Sequence, residues 1–148
     1  MTNKELSNGR APSLLKLGAC FIYDALIVIA LSFAFAGLFL FIAGDATHGL
    51  KRYLLQFTLW FFIGIYFVWC WTKSGQTLAM KTWKLKLVDM DGALLELKMA
   101  TLRYVAATFS LMLFGIGFLW AIVDPDRLYL HDRLLKNRIT AVPRNTTS

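Results

Sequence analysis

The sequence predicts an all-α, polytopic membrane protein. Of its 148 residues 57% are hydrophobic and only 17% charged, which reverses the balance usual for a soluble domain. The apolar residues also gather into three long runs instead of recurring at helix or strand period, so a water-soluble core explains them poorly. Sixteen Lys and Arg against nine Asp and Glu give a basic excess that lies mostly between and beyond those runs. That placement suits loops held against anionic cytoplasmic lipid. It forms no nucleic-acid reader module, so no nucleic-acid partner is expected.

After a polar segment over residues 1–13, the first apolar run predicts a helix from about Leu14 to Ala43, with Pro12 in its first turn. Thirty residues reach roughly 45 Å, more than the roughly 30 Å of a bilayer core, so this helix tilts or projects. "AFA" at 34–36 resembles a signal-peptidase site. The run is already too long before it and continues past it, so the segment is expected to be a retained span. "GDATHGLKR" makes a polar turn, and a second span follows from about Tyr53 to Trp71, with Trp69 and Trp71 at its far interface.

Next comes "KTWKLKLVDMDGALLELK". Alternating apolar positions on either side of Asp91-Gly92 predict a surface β-hairpin over about 83–97, an interfacial amphipathic helix being the alternative. The third apolar run, about 102–123, is interrupted by "GIG" at 115–117. As one straight crossing it would carry the basic tail to the outer side, against the charge rule; broken at the glycines, it returns the tail to the inner side. In "DPDRLYLHDRLLKNRIT", Asp124 as N-cap and Pro125 at the first helical position predict a short amphipathic helix on the inner surface. Residues 143–148 form a polar tail, and no internal repeat is evident.

Lys4, Arg10, Lys16, Lys73, Lys81, Lys84, Lys86 and Lys98 outnumber Lys51 and Arg52. The N-terminus and the 73–98 loop are therefore expected in the cytoplasm, on a multi-pass protein of the inner membrane. Anionic lipids of that leaflet are the expected partners, with a homo-oligomer or a membrane-protein partner as a second expectation.

Asp24 lies eight residues after Lys16, roughly 12 Å deeper along the helix and inside hydrocarbon. A carboxylate there is costly unless a cation answers it. Arg103 can offer a bidentate fork, so an Asp24–Arg103 pair is expected, with Lys16 or Arg133 able to join. If the tail returns inside, Asp132 meets Lys16 or Arg103, completing a charge cluster of Lys16, Asp24, Arg103 and Asp132. Such a cluster either exchanges a cation or proton, or only fixes helix packing. Gly75, Gln76 and Thr77 of "SGQT" could cap a helix or touch lipid phosphate; they lack phosphate-loop spacing. His131 is expected to hydrogen-bond at a helix surface. His48 and His131 are too few and too far apart for a metal site, and Cys20 and Cys70 read as small hydrophobes. No nucleophile and base can be assembled, so neither an enzyme nor a cofactor is expected.

"YDALIV", "WTKSGQTLAMKTWKLKLVDMDGALL", "LRYVAA" and "GFLWAIVDPDRLYLHDRLLKNRI" stand in an order that resembles the RDD family of small bacterial membrane proteins, over about 14–142. The resemblance implies that Asp24 and Asp132 are the family's two aspartates, with Lys16 standing where it has its arginine. It also implies roles for Arg103 and for the loop residues Gly75, Gln76, Thr77 and Lys81. Transport is the activity proposed for such proteins. A non-enzymatic membrane adaptor with a structural charge cluster is the alternative.

Overall fold

The computed structural model describes residues 11–44, 48–113 and 115–142. The polar segment 1–10 and the tail 143–148 lie outside them. Two helices are long and apolar enough to cross a membrane: α1, Leu14–Ala43, and α2, Gly49–Lys73. Ser13 starts α1, its hydroxyl accepting from the Lys16 N–H at 3.4 Å. Pro12 precedes the helix instead of entering its first turn, and its carbonyl accepts from Arg127 Nη1 at 3.0 Å. The second helix extends beyond the expected 53–71 at both ends. Trp69 is exposed near the end of α2, but Trp71, also expected at the interface, is buried.

Past α2 the chain forms a five-residue helix, α3 (Leu78–Thr82), then strand β1 (Leu85–Asp89). The expected hairpin does not form. Asp89 Oδ1 accepts the N–H groups of Asp91 and Ala93 at 2.9 and 2.8 Å. The Asp91-Gly92 signal thus belongs to a side-chain-stapled turn that leads into helix α4, Leu97–Met112. The partner of β1 is instead β2, Asn137–Ala141, antiparallel, with Leu87 opposite Ile139. The other edge of β1 is held by the loop before α3: Leu87 N–H donates to the Gly75 carbonyl at 2.7 Å, and Gln76 Nε2 to the Leu85 carbonyl at 2.6 Å. That cover blunts an otherwise open strand edge.

The third apolar run is broken. Helices α4 and α5 (Ile116–Val123) meet at 93°, with Gly115 in the left-handed region. Gly117 allows the turn to close, since a Cβ there would stand 2.2 Å from Ser110 Oγ. The expected helix from Pro125 is absent. Asp124 ends α5, and its Oδ2 accepts from the N–H groups of Asp126 and Leu128 at 3.2 and 3.1 Å. Only Leu130–Leu134 is helical, as α6, before β2 begins. The pairing of β1 with β2 puts β2 on the same side as the 73–98 loop.

An internal repeat is present after all. The two short units, α3–β1 and α6–β2, have the same build: five helical residues, a two-residue joint, and five strand residues whose first, third and fourth positions are buried. Trp83 (φ −91°, ψ 6°) matches Leu135 (φ −91°, ψ 4°), and Lys84 (φ 53°) matches Lys136 (φ 55°). Leu78, Lys81, Lys84, Lys86 and Leu87 recur at constant spacing as Leu130, Arg133, Lys136, Arg138 and Ile139. The strands pair about a local two-fold centred on Leu87 and Ile139. The longer helices follow the same order, since α1 packs on α2 and α3, and α4 on α5 and α6.

Candidate functional site

The second half holds a buried charge pair that rests against Trp71 of the first. Arg103, 4% exposed on α4, donates Nε and Nη2 to the two oxygens of Asp132 on α6 at 2.6 and 2.9 Å. Its guanidinium also lies over the Trp71 ring, 4.4 Å from the centroid. A planar fork satisfied on both prongs and stacked on indole is a strong arrangement for a buried cation. The expected Asp24–Arg103 pair is therefore replaced by Arg103–Asp132. Asp132 wins because α6 carries it directly onto α4, where both of its oxygens face the fork. Lys16 is exposed and forms no ion pair among the described residues, so the expected four-residue cluster contracts to Arg103, Asp132 and Asp24.

Asp24 is partly buried on α1 and is answered by neutral groups. Thr77 Oγ1 donates to its Oδ2 at 3.1 Å, and the Cys20 thiol approaches the same oxygen at 3.8 Å, a weak contact. Its Oδ1 is covered and has no hydrogen-bond partner among the described residues. Thr77 does two jobs, because the hydroxyl that donates to Asp24 also accepts the Met80 N–H at 3.2 Å as N-cap of α3. The loop block thus has an internal role: Gly75 and Gln76 fix β1 and Thr77 reaches the intramembrane carboxylate. Lys81 is exposed in the last turn of α3 and takes no part.

Gly75 has φ +68°, and a Cβ there would stand 2.7 Å from the Leu87 carbonyl oxygen and 2.8 Å from Leu94 Cδ2. The backbone can approach β1 this closely only without a side chain.

His131 is not at a surface. It is 2% exposed, stacked on Tyr129 and edge-on to Phe118, with both ring nitrogens lacking hydrogen-bond partners among the described residues. Burial pulls its pKa down to about 4, more than Asp132, 3.6 Å from Nε2, pulls it up. The ring is therefore neutral near pH 7. Arg133 is absent from the central cluster and pairs with Asp124. Burial works against ionisation of Asp124, but the Leu128 N–H, Arg133 and the Asp126 N–H together hold its carboxyl below the usual range.

Above Asp24 and Arg103 lies a cavity of about 510 Å³ between α1, α2, α4 and α5. Phe21, Val28, Phe67, Ala107, Leu111 and Phe118 are among the apolar residues of its wall. Tyr104 joins α2 to α4 beside it, donating its hydroxyl to the Trp60 carbonyl at 2.8 Å. An apolar cavity with a few convergent polar groups is the usual form of a small-molecule or ion site.

The model of the RDD family matches residues 14–136, which include α1, the α3–β1 unit, α6, Asp24, Arg103 and Asp132 and stop just before β2. The chain belongs to the RDD family. Neither a curated protein nor a solved structure matches it. Within this RDD chain, sequence reasoning found Asp24, Arg103 and Asp132 but missed Cys20, Trp71 and the Thr77–Asp24 bond. Trp71 carried no distinguishing signal, since an indole near the end of a span suits the interface equally well.

Proposed function

We propose that this RDD protein exchanges a cation or a proton across the bacterial cytoplasmic membrane, with Asp24 as the exchanging carboxylate and Arg103–Asp132 as a fixed clamp. One observation carries the proposal: among the described residues Asp24 Oδ1 has no hydrogen-bond partner, and Asp24 borders a cavity between the helices, whereas both oxygens of Asp132 are engaged. An incompletely satisfied ionisable group inside a membrane domain is a candidate for ion or proton traffic. The internal repeat supports the same reading, because transporters built from two halves commonly bind their ions where the halves meet. Here α1 of the first half supplies Asp24, while α4 of the second supplies Arg103 and Tyr104. The proposed chemistry is non-enzymatic.

Orientation follows from charge. The face formed by the 73–98 loop, α6 and β2 carries Lys73, Lys81, Lys84, Lys86, Lys98, Arg133, Lys136 and Arg138, against Lys51 and Arg52 in the first turn of α2 at the opposite end. We place the basic face in the cytoplasm against anionic lipid. The exchange proposal is tested in sealed vesicles containing the purified chain and a trapped pH dye. A pulse of an inorganic or organic cation moves protons with the parent and not with Asp24→Asn, while both insert equally. Equal fluxes from the two proteins would refute it.

A further inference from the structure

We propose that the cavity between α1, α2, α4 and α5 binds a hydrophobic organic cation of single charge, with its charged head at Asp24 and its apolar body along Phe21, Val28, Phe67, Ala107 and Leu111. This deepens the exchange reading above by naming the class of cation that the same site takes.

Charge at the cavity floor selects the sign. Arg103 and Asp132 neutralise one another through two short hydrogen bonds. Asp24, once its proton has left, is the one charge on the cavity wall with no salt bridge among the described residues, Arg103 acting on it only from beyond ion-pair distance. A cation therefore completes the electrostatics, whereas an anion would face an uncompensated carboxylate in a low-dielectric setting. An apolar wall offers a small hydrated ion little to replace its water, but offers an organic cation extensive contact. The rings of Phe21, Phe67 and Phe118 add faces on which a cation can rest. About 510 Å³ is ample for a drug-sized molecule.

Access and attachment are both available. Ile29 and Leu111 line the cavity and are also exposed, at 51% and 57%, on the surface that meets lipid. A hydrophobic cation can thus enter sideways from the bilayer. Asp24 Oδ1 is covered before binding, so the carboxylate must turn about its Cβ–Cγ bond to meet the head group. Turning gives up the Cys20 contact at 3.8 Å and, in part, the Thr77 bond at 3.1 Å.

The test is equilibrium binding of tetraphenylphosphonium to the full chain in uncharged detergent, with tetraphenylborate as the oppositely charged probe of the same shape. Saturable binding of the phosphonium alone is expected, weakened about tenfold or more by Asp24→Asn. Ala107→Trp, which fills the cavity and leaves the carboxylate intact, should abolish it. Equal saturable binding of tetraphenylborate would overturn the proposal, as would unchanged binding by Asp24→Asn or no saturable binding by the parent. Phosphonium binding by a parent that carries no flux would uphold this site while removing the exchange reading. Flux without phosphonium binding would do the reverse.

Discussion

Replacing Asp132 by Asn leaves the shape of α6 intact and removes the charge that answers Arg103. The two side chains are 5% and 1% exposed, so neither charge has water to fall back on. Stranding one member of a buried pair costs about 3–5 kcal/mol. The asparagine oxygen can keep one hydrogen bond, worth about 1 kcal/mol. The stacking of the guanidinium on Trp71 is untouched. The expected loss is therefore about 2–4 kcal/mol. The double replacement Arg103→Met with Asp132→Leu removes both desolvation penalties and should restore stability to within about 1 kcal/mol of the parent. Both proteins can be followed by thermal unfolding in detergent with a thiol-reactive dye, since Cys20 and Cys70 are free and buried. A loss under about 1 kcal/mol for the single variant, or a double variant no better than the single, would refute the clamp.

Gly75→Ala should destabilise by more than about 1 kcal/mol, because the left-handed backbone and the 2.7 Å approach to the Leu87 carbonyl both oppose a Cβ; the same dye assay reads it. His131 gives a pH signature. Its folded pKa of about 4 lies below the ordinary 6.5, so the unfolded chain takes up the proton first as pH falls. Stability is then full above pH 6.5 and declines by about 3 kcal/mol on descent to pH 4, a slope that His131→Phe should flatten. A slope unchanged in that variant would assign the effect elsewhere. Under oxidation, Lys86→Cys with Thr140→Cys should cross-link, because these residues are paired across β1 and β2. Cross-linking of Lys86→Cys to Leu97→Cys in its place, the pair that a two-residue Asp91-Gly92 turn would set opposite each other, would restore the hairpin.

The spans were legible because the bilayer demands long apolar helices and the sequence supplies one over Leu14–Ile42, with Lys16 and Asp24 as its charged residues. The break in the third run was legible from a conflict between a basic tail and "GIG". The strand pairing was not. Asp91-Gly92 is a genuine turn signal, and nothing local distinguishes a hairpin from an Asx turn entering a helix. The repeat stayed hidden because its left-handed joints hold Lys84 and Lys136 where glycine would have marked a helix end. At the site, charge arithmetic found the three ionisable residues but paired Arg103 with the wrong carboxylate. Depth along a helix can be counted from sequence. Which of two acids faces an arginine depends on how α6 docks on α4.

Asp24 as an exchanging group is tested most directly by infrared difference spectroscopy on the reconstituted chain, recorded as cation is added at constant pH. A protonated carboxyl band should disappear as a carboxylate band grows, and both changes should be absent from Asp24→Asn and retained in the Arg103→Met, Asp132→Leu double variant. A parent whose carboxyl bands do not change on cation addition, or an Asp24→Asn spectrum that still shows the exchange, would contradict it.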